Sequence, residues 1–265
     1  MSVFHSLLLG LLQGLTEFLP ISSSGHLVLS ERILGLRGAD LGFVVFVHFG
    51  TFLATVTAFW PEIWHMLCSG GRFVVRRGVS GDPHLRLLGL ILVASIPAAM
   101  VGLLFEKGVE QAFSSPALVS AMLLVTGLIL WLTRYVPTDV RIMKIRTAIL
   151  VGCAQALAIL PGISRSGATI GAALFQKVDR KRAVEFSFLL ALPAIFGATV
   201  LKAVQLCRAS PSRVALTSLI LGALAAYISG YMAIKVLLRI VRRGKLHLFA
   251  LYCWAAGLLG FVLST

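Results

Sequence analysis

The chain has 265 residues, of which 58% are hydrophobic and 13% charged, with a mean hydropathy of +0.95. Soluble domains run roughly 45–50% apolar and 25% charged, so a soluble enzyme is excluded and no separate soluble domain fits. In a soluble protein the net charge of +14 would suggest nucleic acid; here Lys and Arg belong in loops at an anionic membrane face, and no nucleic-acid partner is expected.

In chain order, the first apolar segment, 4–34, is broken in its middle by "LPISSSG". Uninterrupted spans are predicted over 43–65, 85–105 and 116–133. A second broken segment, 147–176, carries "LPGISRSG". Three more spans follow at 184–204, 214–236 and 246–263. Half of a broken segment is too short to cross ~30 Å of hydrocarbon, so each broken segment reads as a re-entrant hairpin of two half-helices. The apolar runs are continuous rather than alternating, which argues against a β-barrel. The expected fold is an all-α polytopic membrane protein, one domain over 1–265, with six full spans and two hairpins. Four cysteines without metal spacing read as free buried thiols.

The two breaks resemble each other. At an offset of 142, window 10–25 matches 152–167 at Gly10/Gly152, Gln13/Gln155, Leu15/Leu157, Ile21/Ile163, Ser22/Ser164, Ser24/Ser166 and Gly25/Gly167. Each half then reads as a hairpin plus three spans, with repeat 1 at about 1–135 and repeat 2 at about 143–265. A hairpin returns to its own side and three is odd, so the second repeat is inverted in the membrane. Interrupted segments of inverted repeats meet near the midplane and form a binding site there. Loops 66–86, 134–146, 177–182 and 235–245 hold 17 Lys and Arg, against 6 in 32–40, 106–110 and 202–213. The positive-inside rule places the first set in the cytoplasm and both termini outside.

Ionisable residues at membrane depth are costly and are functional candidates by default. Gln13 and Glu17 share a helical face. Ser22, Ser23 and Ser24 follow Pro20, and His26 lies on the first turn of the second half-helix, whose N-terminus favours an anion. Arg165 takes the repeat position of Ser23. With Ser164, Ser166, Gly167 and Thr169 around it, its planar fork suits phosphate oxygens. Glu17, with Gln13, offers oxygen ligands to a hard divalent cation. A serine or His26 can serve as nucleophile or base. The structural alternatives are serines that only bond backbone, a purely structural Glu17–Arg165 ion pair and a packed polar His26. Gln155 reads as structural, Glu185 as a partner of its basic neighbours, and His48 and His65 as outside the site.

"QGLTEFLPISSSGH" (13–26) and "PGISRSGAT" (161–169) resemble the two signature motifs of the bacterial undecaprenyl-diphosphate phosphatase family, the bacitracin-resistance proteins. The resemblance covers essentially the whole chain, repeat included. It implies an integral enzyme of the bacterial inner (plasma) membrane that hydrolyses undecaprenyl diphosphate to undecaprenyl phosphate and inorganic phosphate. This recycles the carrier for cell-wall synthesis and gives bacitracin resistance, with the site open to the periplasm. It also implies a divalent cation, Mg²⁺ or Ca²⁺. By motif, Gln13 occupies the family's first acidic position, Glu17 the second, His26 its histidine and Arg165 its arginine. Glu at the Gln13 position is common in the family, so a mechanism needing two carboxylates is in doubt for this chain.

The expected chemistry has Arg165 and hairpin N–H groups on the terminal phosphate and a cation held by Glu17 with Gln13. Attack comes from a serine (Ser23 first, Ser22 second) or from water, with His26 managing the proton; serine against histidine as nucleophile stays open. The expected partners are the polyprenyl diphosphate substrate and membrane lipid, and a homodimer is left open. The rival function is a lipid-phosphate flippase or transporter using the same midplane anion site, alone or combined with the enzyme. An assembly protein ranks last, since it leaves the buried charges unused.

Overall fold

The computed structural model describes residues 2–33, 41–76, 81–137, 141–208 and 216–264. They form twelve helices: α1 Val3–Phe18, α2 Ser23–Ile33, α3 Leu41–Ala58, α4 Trp60–Arg76, α5 Pro83–Leu104, α6 Glu106–Phe113, α7 Pro116–Leu132, α8 Ile145–Leu157, α9 Arg165–Phe175, α10 Arg180–Arg208, α11 Leu216–Arg242 and α12 Leu248–Ser264. Among the described residues the extended pairing is limited to one isolated bridge, Arg141 with Val178.

Local sequence sets the helix starts. Asp82 accepts the N–H groups of His84 and Leu85 ahead of Pro83, and Ser115 accepts that of Leu118 ahead of Pro116. Each pairs a side-chain cap with a proline at a position that needs no N–H. Both "LPISSSG" and "LPGISRSG" break the helix as expected, leaving 19–22 between α1 and α2 and 158–164 between α8 and α9.

Among the described residues four helices are long and apolar enough to cross a bilayer: α5, α7 with its 3₁₀ extension to Tyr135, α10 and α11. Taken as one bent span, α3 and α4 make a fifth, against the six full spans predicted. The span predicted over 43–65 is broken at Phe59, where α3 and α4 bend by 80°. Pro61 is the cause visible in the sequence: it has no N–H to continue the ladder from α3, and it is accommodated in the first turn of α4. The final span becomes the 17-residue α12, about 25 Å long at the usual helical rise. Of the loops predicted to be outer, 34–40 of the first (32–40) and 209–213 of the last (202–213) lie outside the described residues.

The exposed surface is that of a lipid-solvated bundle. Ile220, Leu224, Ile228 and Met232 form an outward stripe on α11, and Leu92, Ile96 and Leu103 one on α5, each residue about half exposed or more. Water would not tolerate apolar faces of this extent, whereas hydrocarbon does. Inside, α11 packs closely on α1 and α3, α5 on α8, α3 on α10, and α7 on α12. Small residues permit these approaches: a Cβ on Gly10 would collide with the backbone of Gly222, and one on Gly152 with that of Ala94. An aromatic cluster locks the end of α1 to the α3–α4 bend and α10, with Phe188 meeting Phe18 edge-on at 5.5 Å and Phe59 at 5.7 Å. Glu185 pairs with Lys181 at 3.4 Å, as its basic surroundings suggest. Of the cysteines, Cys253 is a free buried thiol, while Cys68 and Cys153 are free but exposed, contrary to the expectation of burial.

Candidate active site

The two helix breaks meet. A Cβ on Gly25 would sit 3.5 Å from the Cα of Gly162, and one on Gly167 would sit 3.3 Å from Pro20 Cβ. Ser166 Oγ donates to the carbonyl of Leu19 at 3.3 Å. The two turns therefore interlock over positions about 140 residues apart in sequence.

Both turns use the same local hydrogen bonding. Ser22 Oγ accepts from Gly25 N at 3.3 Å and lies 3.2 Å from Ser24 Oγ; Ser164 Oγ accepts from Gly167 N at 3.2 Å and lies 3.2 Å from Ser166 Oγ. These are N-cap arrangements, in which a hydroxyl satisfies a first-turn amide. The copies differ in backbone: Ser22 itself is left-handed (φ 68°), while in the second turn Gly162 takes that role (φ 96°). A serine at positive φ costs on the order of 1–3 kcal/mol, so the first turn is held in a strained form by its surroundings.

The chemistry gathers around Glu17. Arg165 Nη2 donates to Glu17 Oε1 at 3.0 Å, while Gln13 Nε2 and Ser23 Oγ donate to Oε2 at 3.0 and 2.6 Å. The side chains of Glu17 and Arg165 are 9% and 16% exposed. Two buried polar atoms in this cluster have no partner among the described residues, Arg165 Nη1 and Gln13 Oε1. One is a cationic donor and the other a neutral oxygen, and buried groups of either kind require a partner. His48, left outside the site by the sequence reading, lies with Nδ1 2.9 Å from the Val44 carbonyl.

His26 sits apart from that cluster. Its Nδ1 is 2.8 Å from the Ser22 carbonyl and its Nε2 is 2.7 Å from Tyr252 Oη. A carbonyl only accepts, so Nδ1 carries a proton, and in the neutral ring Nε2 accepts from the Tyr252 hydroxyl. The two rings stack with centroids 5.5 Å apart and planes 11° from parallel.

Of the sequence-predicted residues, the structure joins Gln13, Glu17, Ser23 and Arg165 directly. Ser22, Ser24, Ser164 and Ser166 are occupied in the turns. Thr169 bonds the Arg165 carbonyl at 2.7 Å and Ser187 at 2.5 Å, and Gly167 is the tight contact to Pro20. Sequence reasoning missed three supporting residues. Thr126 on α7 holds the second turn, donating to Gly162 O at 2.9 Å and accepting from Ser164 N at 3.0 Å. On α12, Cys253 Sγ donates to Pro20 O at 3.5 Å, and Tyr252 holds His26. No motif marks them, since each lies in an otherwise apolar helix.

For a cation, the available ligand atoms are oxygens of Glu17 and Gln13. Among the described residues no group of three or more His, Cys, Asp and Glu side chains comes together. A site completed by substrate oxygens is the arrangement Mg²⁺ commonly takes with phosphates.

Comparison with known proteins places this geometry in a family. Undecaprenyl-diphosphatases from Salinibacter ruber, Desulforapulum autotrophicum and Halothermothrix orenii are similar to this chain. The first is 47% identical over 268 residues, covering 98% of both proteins. The second is 43% identical over 273 residues, covering 99% of this chain and 98% of the relative. The third is 42% identical over 268 residues, covering all of this chain and 99% of the relative. The family model described as bacitracin resistance protein BacA matches residues 6–259, a stretch that contains both interlocked turns and every residue bonded to Glu17, and the chain belongs to that family.

Proposed function

We propose that the protein is an integral membrane phosphatase that hydrolyses undecaprenyl diphosphate to undecaprenyl phosphate and inorganic phosphate. The observation that carries this reading is the buried Gln13–Glu17–Ser23–Arg165 cluster with two polar atoms left unpaired, in a chain whose relatives are named for that reaction. The unpaired Arg165 Nη1 suits an incoming phosphate oxygen. The lipid-facing surface explains the location, because a polyprenyl substrate must be met in the bilayer.

In this reading Arg165 binds the terminal phosphate through its unpaired Nη1 while Nη2 keeps Glu17 in place. Ser23 Oγ attacks the terminal phosphorus as its proton passes to Glu17 Oε2, already 2.6 Å away. The bridging P–O bond breaks and undecaprenyl phosphate leaves with the electron pair. Water then cleaves the phosphoserine, releasing phosphate and returning the proton to the serine. This places Glu17 rather than His26 beside the hydroxyl proton; His26, one turn away, is held by Tyr252 and steadies the turn or receives a proton through it. Gln13 Oε1 and Glu17 are the residues that would hold a divalent cation, Mg²⁺ or Ca²⁺, and the unpaired Gln13 Oε1 fits that role. A bound cation would neutralise phosphate charge as it develops. Ser164, Ser166, Gly167 and Thr169 fix the turn that presents Arg165.

We further read the chain as two inverted repeats. Exchanging α1, α2, α3, α5 and α7 with α8, α9, α10, α11 and α12 turns the α1–α11 pair into α8–α5, and the α11–α3 pair into α5–α10. The α3–α10 and α7–α12 pairs map onto themselves. The matched serine bonding of the two turns supports the same relation. The re-entrant course of both hairpins, residence in the inner membrane and a site facing the periplasm follow from this reading with the charge bias of the loops. The flippase reading has no specific observation in its favour.

The test is phosphate release from undecaprenyl diphosphate by the purified protein in detergent, with divalent cation, with chelator, and with Glu17→Ala and Arg165→Ala. Cation-dependent release lost in both variants is expected. Absence of release from the folded wild-type protein would overturn the reading.

A further inference from the structure

A groove of about 560 Å³ lies below the first turn, between the second half of α1 and the junction of α11 with α12. Its volume is in the range of ligand-binding clefts. The walls are apolar: Leu12 and Leu15 from α1, Leu19 just after it, and Leu248 and Phe249 from α12. Three cations line one end, Arg239, Arg243 and Lys245. All three are exposed, and no ion pair among the described residues engages them. Arg239 on α11 and Arg243 just past its end are one turn apart, with Arg243 N donating to the Arg239 carbonyl at 3.3 Å. No acidic residue lines the groove. The guanidinium of Arg180 adds charge nearby, close enough that a Cβ on Gly244 would touch it.

We propose that this groove is a binding site for an anionic diacyl phospholipid of the surrounding membrane. Its phosphate sits among Arg239, Arg243 and Lys245, and an acyl chain lies along Leu12, Leu15 and Leu248. Charge complementarity selects the occupant. Cations at the end of a spanning helix are commonly explained by snorkelling to the interface, which requires no partner. Here they border an apolar recess between helices, and such basic pockets take lipid phosphate headgroups. The site differs from the Glu17–Arg165 cluster in residues and in ligand: it holds one phosphate on exposed cations, with no carboxylate or serine among its walls. The proposal does not rest on the phosphatase reading, and its test reads binding rather than turnover.

The experiment is native mass spectrometry of the full chain in detergent, titrated with phosphatidylglycerol or phosphatidylcholine of equal chain length. The wild-type protein is expected to retain phosphatidylglycerol on the order of ten-fold better, as expected when several cations meet one anionic headgroup. Arg239→Gln with Arg243→Gln and Lys245→Gln abolishes the preference. Removing the same charge elsewhere, with Arg141→Gln, Lys144→Gln and Arg146→Gln, leaves it intact. Leu248→Trp, which fills the groove and keeps every cation, lowers retention as well and covers the case in which the triple variant does not fold. Equal retention of the two lipids by wild type would overturn the proposal. So would a preference surviving the triple substitution, or displacement of phosphatidylglycerol by an equimolar polyprenyl phosphate.

Discussion

Arg165 Nη2 and Glu17 Oε1 lie 3.0 Å apart although 148 positions separate them in sequence, and their side chains are largely shielded. Removing either partner leaves a charge without its counterion in a poorly solvated place. Breaking such a pair costs about 3–5 kcal/mol. Arg165→Ala and Glu17→Ala should therefore each lower the thermal midpoint in detergent, and each should cut kcat/KM by ~10³ or more if the group meets developing phosphate charge. The double variant separates the two roles: thermal stability recovers in part because no lone charge remains, while turnover stays lost. Turnover returning with stability would mark the pair as structural.

Ser22 and Ser23 are neighbours with different work, and substitution distinguishes them. Ser22 Oγ caps Gly25 N, whereas Ser23 Oγ points to Glu17. Ser22→Ala should cost about 1 kcal/mol of stability through the lost cap, with most turnover retained. Ser23→Ala should cost about 1.5–3 kcal/mol through the bond lost to the buried carboxylate and reduce kcat by ~10²–10⁴, the range for removal of a group that moves a proton or attacks. Trapping phosphate on wild-type protein by acid quench, followed by peptide mapping, should find it on Ser23. A label on His26 would reassign the nucleophile.

Much of this arrangement was legible before any coordinates. Pro20 and Pro161 interrupt their helices because proline lacks an amide, and the serines after them suit caps, so both breaks could be placed from residue chemistry. The 142-residue repeat brought Glu17 and Arg165 into one expected site. The bend at Phe59 was missed because the composition around it stays apolar; Pro61 was the cue, outweighed by the hydropathy of its surroundings. Tyr252, Thr126 and Cys253 could not be found, since one polar group on an apolar helix carries no periodic signal. Nor did the sequence show that His26 faces Tyr252 instead of Ser23: both lie within reach of a residue on the first turn of α2, and only the fold of α12 decides.

Gln13 donates its amide to Glu17 and leaves its oxygen unpaired. Gln13→Glu replaces that donor with a second carboxylate beside the first. Like charges repel there unless a cation lies between them. The variant should lose stability in chelator and regain it with Mg²⁺ or Ca²⁺, and half-maximal phosphate release should shift to lower cation concentration. Gln13→Leu should shift it the other way with little change at saturating cation. A cation titration of both variants checks this, and identical midpoints would remove Gln13 from the cation site.

Tyr252 tests what His26 is for. Tyr252→Phe keeps the ring that stacks on the imidazole and the apolar wall of the groove, and deletes only the hydroxyl 2.7 Å from Nε2. If His26 takes part in proton movement, its free nitrogen loses its donor and its fixed orientation. The expected result is a fall in kcat on the order of ten-fold, comparable to loss of an outer partner that orients a functional histidine. KM should be nearly unchanged, because Arg165 still binds the phosphate. Selective ¹⁵N-histidine NMR should show the Nε2 signal of His26 moving, identified by its absence in His26→Ala. A packing role predicts a different pattern: Tyr252→Phe would then lower the thermal midpoint by the worth of one hydrogen bond, about 1 kcal/mol, with kcat preserved. Because the substitution leaves Glu17, Ser23 and Arg165 untouched, unchanged turnover would confine the chemistry to those three side chains and Gln13, and leave His26 as the residue that holds the turn.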